Sequence, residues 1–570
     1  MSDPKSNALP RQVADSYVDE LVEQDPLTGT YLGLPESYDK LSDVSPEGRA
    51  ALAELNRRTL RRLEESERLP GAEATQERRC ARLLRERLQA ELDVFDAQEH
   101  LREVSNLHSP VHSIRDSFTL LPTDSAEDWA VIARRLDRVP EALSQYRASL
   151  ELGLARDLPA GPRQVTTVLG QFDEWLGAGG SGKGWFEDFV QPAESAAPDS
   201  PALAQDLRRA AGGASQAIAE LRDWMRAEYA PRVADAPDPV GRERYARFAR
   251  YWNGTSMDLE EAYAYGWSEF HRLIAEMRLE GERILPGAAN PWEVLAHLDT
   301  HGKAVEGVEE VRVWLQELMD EAISSLDGTH FDLADRVKRV ESMIAPPGSA
   351  AAPYYTQPSL DFSRPGRTWL PTMGETRFPI YDLVTTWYHE GVPGHHLQLA
   401  QWTHVADQLS RYQTSVGGIS ANLEGWALYA ERLMDELGFL GDPELRLGYL
   451  DAQMMRAVRV IVDIGMHLEL AIPDGSPFHP GERWTPQLAQ RFFGMHSGRP
   501  AEFVESEMVR YLGMPGQAIG YKLGERAWLT GRAAAQRAHG ADFDAKAWHM
   551  AALSQGSLGL DDLVEELSAL

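Results

Sequence analysis

The stretch Trp387-Tyr388-His389-Glu390-Gly391-Val392-Pro393-Gly394-His395-His396-Leu397-Gln398 constrains this chain more than any other. A histidine followed at once by a glutamate, with two further histidines within two turns, is the residue set of a zinc hydrolase. Neutral imidazoles hold the ion and a carboxylate takes a proton from water. The common spacing is H-E-x-x-H on one helix. Here the fourth residue beyond His389 is Pro393, so a continuous helix cannot place its second ligand there. His396 lies seven residues on, about 10 Å along a straight helix. Two nitrogens that each approach one zinc to about 2.1 Å cannot stand that far apart. The helix must therefore break or bulge between the ligands, and Gly391, Pro393 and Gly394 permit it. His395 is the expected second ligand, because two looped-out residues restore a four-residue relation; His396 is the alternate.

A third ligand is expected from Asn422-Leu423-Glu424-Gly425-Trp426-Ala427-Leu428-Tyr429-Ala430-Glu431. This reads as a helix with Glu424, Leu428 and Glu431 on one face. A glutamate in so apolar a segment needs a partner if buried; the plainer reading is an exposed Glu424 near a helix start. His-Glu-Gly-Val-Pro-Gly-His-His-Leu-Gln, followed by Glu-Gly-Trp-Ala-Leu-Tyr-Ala-Glu, resembles a large bacterial family known only as a domain of unknown function. That family looks like a distant relative of the gluzincin metallopeptidases. The similarity takes in Tyr354-Tyr355-Thr356, residues 362–367, 463–467 and 515–522, and so runs nearly the whole chain. It implies zinc-dependent hydrolysis and leaves the substrate unassigned.

Net charge bounds the partners. With 57 basic and 88 acidic residues the chain carries −31, which argues against general nucleic-acid binding and against docking to anionic lipid. An apolar content of 43% is ample for a sizeable core. Cys80 is the only cysteine, which excludes an internal disulfide and any cysteine-based metal site. No secretory signal follows the N-terminal methionine and no run of about eighteen apolar residues is present, so the cytoplasm is the expected location.

Residues 10–345 read as mostly helical, with three-and-four apolar spacing in 50–65, 76–104, 126–156, 203–230 and 304–325. Residues 34–39, 157–162 and 191–201 are loop-like. Gly177-Ala178-Gly179-Gly180-Ser181-Gly182-Lys183-Gly184 nearly spells a phosphate loop. It lacks the final hydroxyl and a preceding buried strand, and reads as a surface loop. Asp258 opens a helix with an acidic first turn and an aromatic face. From about 346 the texture changes, with short β-like pieces at 352–356, 367–371 and 377–381. Arg364 and Arg367 lie here, either to clamp a substrate carboxylate or to hold the loop.

Downstream, Arg456, Arg459, Asp463 and His467 fall within about 80° of one another on a helical projection, on an otherwise apolar helix. They read as a cleft-lining stripe in which His467 donates to a developing oxyanion and Asp463 orients it; the alternative is a buried ion-pair network. Tyr521, beside Lys522 after the Pro515-Gly516 turn, is a second oxyanion donor or a core tyrosine.

The expected architecture is mainly α: a helical metallopeptidase-like fold with a deep cleft and a small β element before the zinc-binding helix. Residues 1–345 form the N-terminal helical lobe and 346–570 the catalytic lobe, as one continuous unit. His389, His395 and Glu424 hold zinc and Glu390 is the general base. His467 and Tyr521 assist as catalytic groups. His396, Asp463, Arg456, Arg459, Arg364, Arg367 and Lys522 bind substrate or support the site. The expected substrate is a short peptide or small amide; the sequence leaves self-association open.

Overall fold

Proline starts many of the elements. Pro10, Pro46, Pro162, Pro201, Pro291, Pro443 and Pro486 each occupy the first position of a helix. There the ring's fixed φ suits the helix and the missing N–H is no loss. Ser45, Asn290, Asp442 and Thr485 cap four of these starts through their side chains. A proline-rich chain is thereby mainly helical. The computed structural model describes residues 8–178, 182–193, 200–346 and 352–570. Parts of the Gly177–Gly184 loop, of the 191–201 break and of the 346–380 segment thus lie outside the described residues.

The helical stretches read from periodicity appear as Pro46–Ser66, Thr75–Asp96, Ala126–Leu136 with Val139–Ala155, Pro201–Trp224 and Val308–Leu326. Among the described residues no helix is long and apolar enough to cross a membrane.

The chain divides into two compact units. The first comprises residues 1–69, 88–240 and 506–514. Its core gathers Phe118, Trp129, Ile132, Tyr146, Phe172, Ile218 and Tyr229 among others. Arg135 is wholly buried there, donating to Thr30 and Ser117 and lying over the Phe118 ring.

The second unit comprises residues 70–87, 241–505 and 515–570; the change of texture near 345 falls inside it. Its helices Leu259–Ile284 and Pro443–Leu468 pack along each other, and Ile380–Glu390 packs on Pro443–Leu468 and Ser420–Glu436. Ser420–Glu436 also crosses Gly520–His539 where Gly425 meets Gly524. A Cβ on Gly425 would stand 2.4 Å from the Gly524 carbonyl carbon, so only glycines allow this approach.

Among the described residues, five short strands precede the helix Ile380–Glu390: β1 (Ala304–Glu306), β2 (Val340–Ile344), β3 (Tyr354–Thr356), β4 (Gly366–Leu370) and β5 (Arg377–Pro379). β1 pairs antiparallel with β5, with Val305 opposite Phe378. β4 lies between β2, parallel to it, and β3, antiparallel, in the order β2-β4-β3. β3 and β4 lie against the helix His395–His404. β1 and β2 escape the periodicity reading because each is short and sits in a helical context.

Cys80 is fully buried, its sulfur 3.3 Å from the Ser410 hydroxyl. The acidic C-terminal helix, Leu560–Ser568, is held by charge as well as packing. Arg79 and Arg82 donate to Glu566, and Arg82 also reaches Asp562 and Glu565.

Candidate metal centre

The helix Ile380–Glu390 stops at Gly391, residues 391–394 turn, and a second helix starts at His395. The Val392–Pro393 peptide within the turn is cis. The Gly394 N–H donates to the Tyr388 carbonyl and the His396 N–H to that of Gly391. A Cβ on Gly394 would lie 1.9 Å from the His389 carbonyl oxygen, so glycine is required where the chain doubles back. From the neighbouring helix the Trp426 indole donates to the carbonyls of Pro393 and Gly394, at 2.9 and 3.1 Å. The break demanded by Pro393 is therefore a four-residue turn locked from outside.

This turn brings His395 face to edge with His389, ring centres 4.8 Å apart at 87°. Glu424 projects from Ser420–Glu436, its Oε2 3.4 Å from His389 Nε2 and 3.5 Å from His395 Nε2. Those separations exceed a good hydrogen bond, and Glu424 Oε2 is buried without a hydrogen-bond partner. Ligand atoms about 2.1 Å from a zinc at tetrahedral angles stand roughly 3.4 Å apart. The donor set therefore fits a zinc-sized cation. His389 and Glu390 also end their helix, where the peptide dipoles favour positive charge.

Glu390 belongs to the same cluster: His389, Glu390 and His395 offer atoms within 4.8 Å of one another. Two carboxylates thus border two imidazoles. The Glu424 Oε2 atom lies within 3.5 Å of both Nε2 atoms, and Glu390 is the second carboxylate of the cluster.

Charge in the site runs high. Burial opposes a charged His389, but the carboxylates of Glu424 and Glu431 outweigh it and push its pKa up to about 10. Burial likewise opposes an ionised Glu424, yet His389 and His395 hold it well below the usual carboxylate range. Glu390 is pushed up, chiefly by burial, with the two imidazoles and Arg456 acting the other way. Three acids and two imidazoles share this space.

Glu431 was not singled out by sequence as a site residue. It lies 1% exposed one turn beyond Leu428, accepting from His389 Nδ1 at 2.7 Å and from the Thr385 hydroxyl at 2.9 Å. It thereby fixes the ring so that Nε2 faces Glu424. The signal was present: a second glutamate, seven residues after Glu424, on the same face of an apolar helix.

His396 points elsewhere. It is fully buried, with Nε2 against the Val337 carbonyl at 2.7 Å and Nδ1 against the Tyr355 hydroxyl at 3.0 Å. Burial pushes its pKa down to about 4. With both nitrogens engaged, it ties the turn to β3.

The Arg456–His467 stripe divides in two. Arg456 and Arg459 both lie over the Tyr521 ring, at 5.9 and 5.0 Å, and the Arg456 charge is felt by Glu390. Asp463 and His467 are instead wholly buried, 3.6 Å apart. Asp463 accepts from the Tyr245 hydroxyl at 2.7 Å and the Gly516 N–H at 2.9 Å. A side chain without exposed surface presents nothing to a substrate, so the structure corrects the oxyanion role expected of His467. Lys522 is corrected in the same way: wholly buried, it donates to Gln453, Glu525 and Glu269. Arg367 on β4 is paired with Glu341 at 2.9 Å, and the Arg364 guanidinium donates to the Pro365 carbonyl of its own loop while its backbone N–H donates to the Ser359 hydroxyl.

A pocket of about 270 Å³ opens on Glu424, lined also by Arg87, Tyr251, Trp252, Gly418, Ser420 and Leu423.

Two solved structures share this fold. One is described as "the putative lipoprotein from Colwellia psychrerythraea", with a TM-score of 0.81, 20% identity, and coverage of 98% of this chain and 99% of that one. The other, "a putative lipoprotein of unknown function from Shewanella oneidensis", gives a TM-score of 0.77 and 17% identity, covering 98% and 100%. No curated protein matches the chain. A family profile matches residues 26–567, and the chain belongs to that family, described as "Bacterial protein of unknown function (DUF885)".

Proposed function

We propose that this protein is a zinc-dependent hydrolase of amide bonds, most suited to short peptides, with a gluzincin-like donor set. One observation carries the reading: Glu424 Oε2, buried and without a hydrogen-bond partner, stands 3.4 and 3.5 Å from the Nε2 atoms of His389 and His395. His389, His395 and Glu424 would hold the ion. When bound, zinc would supply Lewis acidity to a water and to the substrate carbonyl.

The chain's own groups do the rest. Glu390, 9% exposed and adjacent to His389, takes a proton from the attacking water. The water oxygen bonds to the carbonyl carbon, the carbon–nitrogen bond breaks, and Glu390 returns the proton to the leaving nitrogen. Glu431 keeps the His389 ring in register through Nδ1. Arg456 and Tyr521, both partly exposed and stacked on each other, are the groups we assign to the developing negative charge on the carbonyl oxygen. A structural metal site needs no adjacent base and leaves no open position, which disfavours a purely metal-stabilised binding protein. The pocket volume suits a non-peptide amide equally, so an amidase acting on a metabolite is the second reading.

Metal analysis of the purified protein, joined to a screen of short peptides and N-acyl amides, tests this. About one zinc per chain is expected, with turnover that a chelator removes. His395→Ala should lose the metal while His396→Ala keeps it. Full turnover without metal, or metal loading unchanged in His395→Ala, would overturn the assignment.

A further inference from the structure

The pocket at Glu424 has a second charged end. Arg87 lines it at 7% exposure, from the segment 70–87 of the second unit. Two of its five N–H groups are bound: Nη1 donates to the Tyr251 carbonyl at 2.5 Å and Nη2 to that of Arg250 at 3.4 Å. Its Nε is buried with no hydrogen-bond partner. The nearby carboxylate, Glu86, is engaged by Arg250 at 2.9 Å and stands 3.9 Å from Arg87. This guanidinium, 5.8 Å from the Tyr251 ring and held by two backbone carbonyls, keeps a positive charge in the wall of a pocket with one N–H unused. The rest of the lining is Tyr251, Trp252 and Leu423, with Ser420 and Gly418.

We propose that Arg87 binds a free carboxylate of the substrate. This rests on the hydrolase reading above and gives it a substrate class: small amides with one carboxylate near the scissile bond and an apolar side chain. Dipeptides and N-acyl amino acids have this form. The chemistry selects a carboxylate because one guanidinium, with a single pair of parallel N–H groups, matches one planar monoanion. A dianionic phosphate would bring a second charge toward Glu424 and Glu390. The volume, about 270 Å³, lies just below the roughly 300–1,000 Å³ of drug-sized ligand sites. A volume of that size suits a short molecule.

The test is equilibrium binding of N-acetyl-leucine and of its primary amide, read by tryptophan fluorescence or calorimetry. Using Glu390→Gln protein prevents turnover of either probe. The acid should bind about ten- to a hundredfold tighter than the amide, the range of a charge-assisted hydrogen-bond pair. Arg87→Ala should erase that preference, and Arg87→Lys should restore part of it. Chelation of the metal should leave the preference in place. Equal binding of acid and amide by protein with Arg87 intact would overturn the proposal without any variant, which covers an Arg87→Ala chain that fails to fold. A preference that survives Arg87→Ala, or vanishes with the metal, would place the carboxylate on the ion and also overturn it. The readout is binding, so an acid preference without hydrolysis of any probe would sink the hydrolase reading and leave the Arg87 site standing.

Discussion

Two polar clusters inside the second unit are built from similar residues and behave differently. At the candidate metal centre, Glu424 faces His389 and His395 across gaps of 3.4 and 3.5 Å, and the side chains of His395 and Glu424 keep 13% and 21% exposure. Around Asp463 and His467 both side chains have zero exposure. There Asp463 takes two hydrogen bonds on one oxygen, from the Tyr245 hydroxyl and the Gly516 N–H. Both clusters place histidine and acid on apolar helices. What separates them is access: the His395 and Glu424 side chains keep some exposure beside their gap, whereas Asp463 and His467 keep none. A polar group that solvent and ligands cannot reach serves the fold; one that keeps an open side is available for chemistry.

The comparison breaks most sharply at Glu390. Glu390→Gln keeps the shape and removes the proton acceptor, so turnover should fall about a thousandfold, with metal content and melting temperature unchanged. Kinetics on any verified amide substrate decide it, and a rate near wild type would place the base elsewhere. In the sealed cluster the same logic predicts the opposite pattern. Asp463→Ala strands the Tyr245 hydroxyl, the Gly516 N–H and His467, and should cost about 3 kcal/mol of stability. The rate per folded molecule should stay within about twofold of wild type. A hundredfold loss of kcat at unchanged melting temperature would return His467 to the mechanism.

Much of this site could be read from residues alone, for physical reasons. Pro393 cannot continue a helix, so the broken motif follows from covalent structure. The choice between His395 and His396 needed the fold. Both follow the same turn, and only β3 and the Val337 carbonyl decide which ring is engaged. The strands β3, β4 and β5 were foreshadowed by local composition, whereas β1 and β2 take their form from partners distant in sequence. His467 misled because helical spacing gives a face without saying whether solvent or packing lies against it. Arg87 gave no signal, because its role depends on Tyr251 and Glu424, both remote in the chain.

Glu431 tests how far the open site depends on support. Glu431→Gln keeps an acceptor for His389 Nδ1 but removes the charge, and metal affinity should drop about ten- to a hundredfold. Competition with a coloured chelator measures it. Unchanged affinity would mean that packing alone holds the ring.

The smallest expected effect comes from a histidine in neither cluster. His549 is 3% exposed, its Nε2 2.7 Å from the Tyr429 hydroxyl, among Trp426, Trp548 and Phe331. Burial pushes its pKa down to about 3, with the charges of Arg532 and His330 acting in the same direction. The folded chain therefore keeps this ring neutral, while the unfolded chain takes up a proton below its ordinary value of about 6.5. Protonation favours the unfolded state, so this contribution to stability is complete above that value and is lost as pH falls toward 3. Its slope cannot exceed about 1.4 kcal/mol per pH unit. Between pH 7 and 5 it should remove about 1.9 kcal/mol, a trend that His549→Gln should flatten by one proton. Unfolding in denaturant at both pH values, for wild type and variant, gives the comparison. Trp426 joins this aromatic group to the turn at Pro393 and Gly394, so the same titration with metal added asks whether the group around His549 feels the candidate metal site. An equal loss in both proteins would show that other groups, and not this buried ring, carry the acid sensitivity.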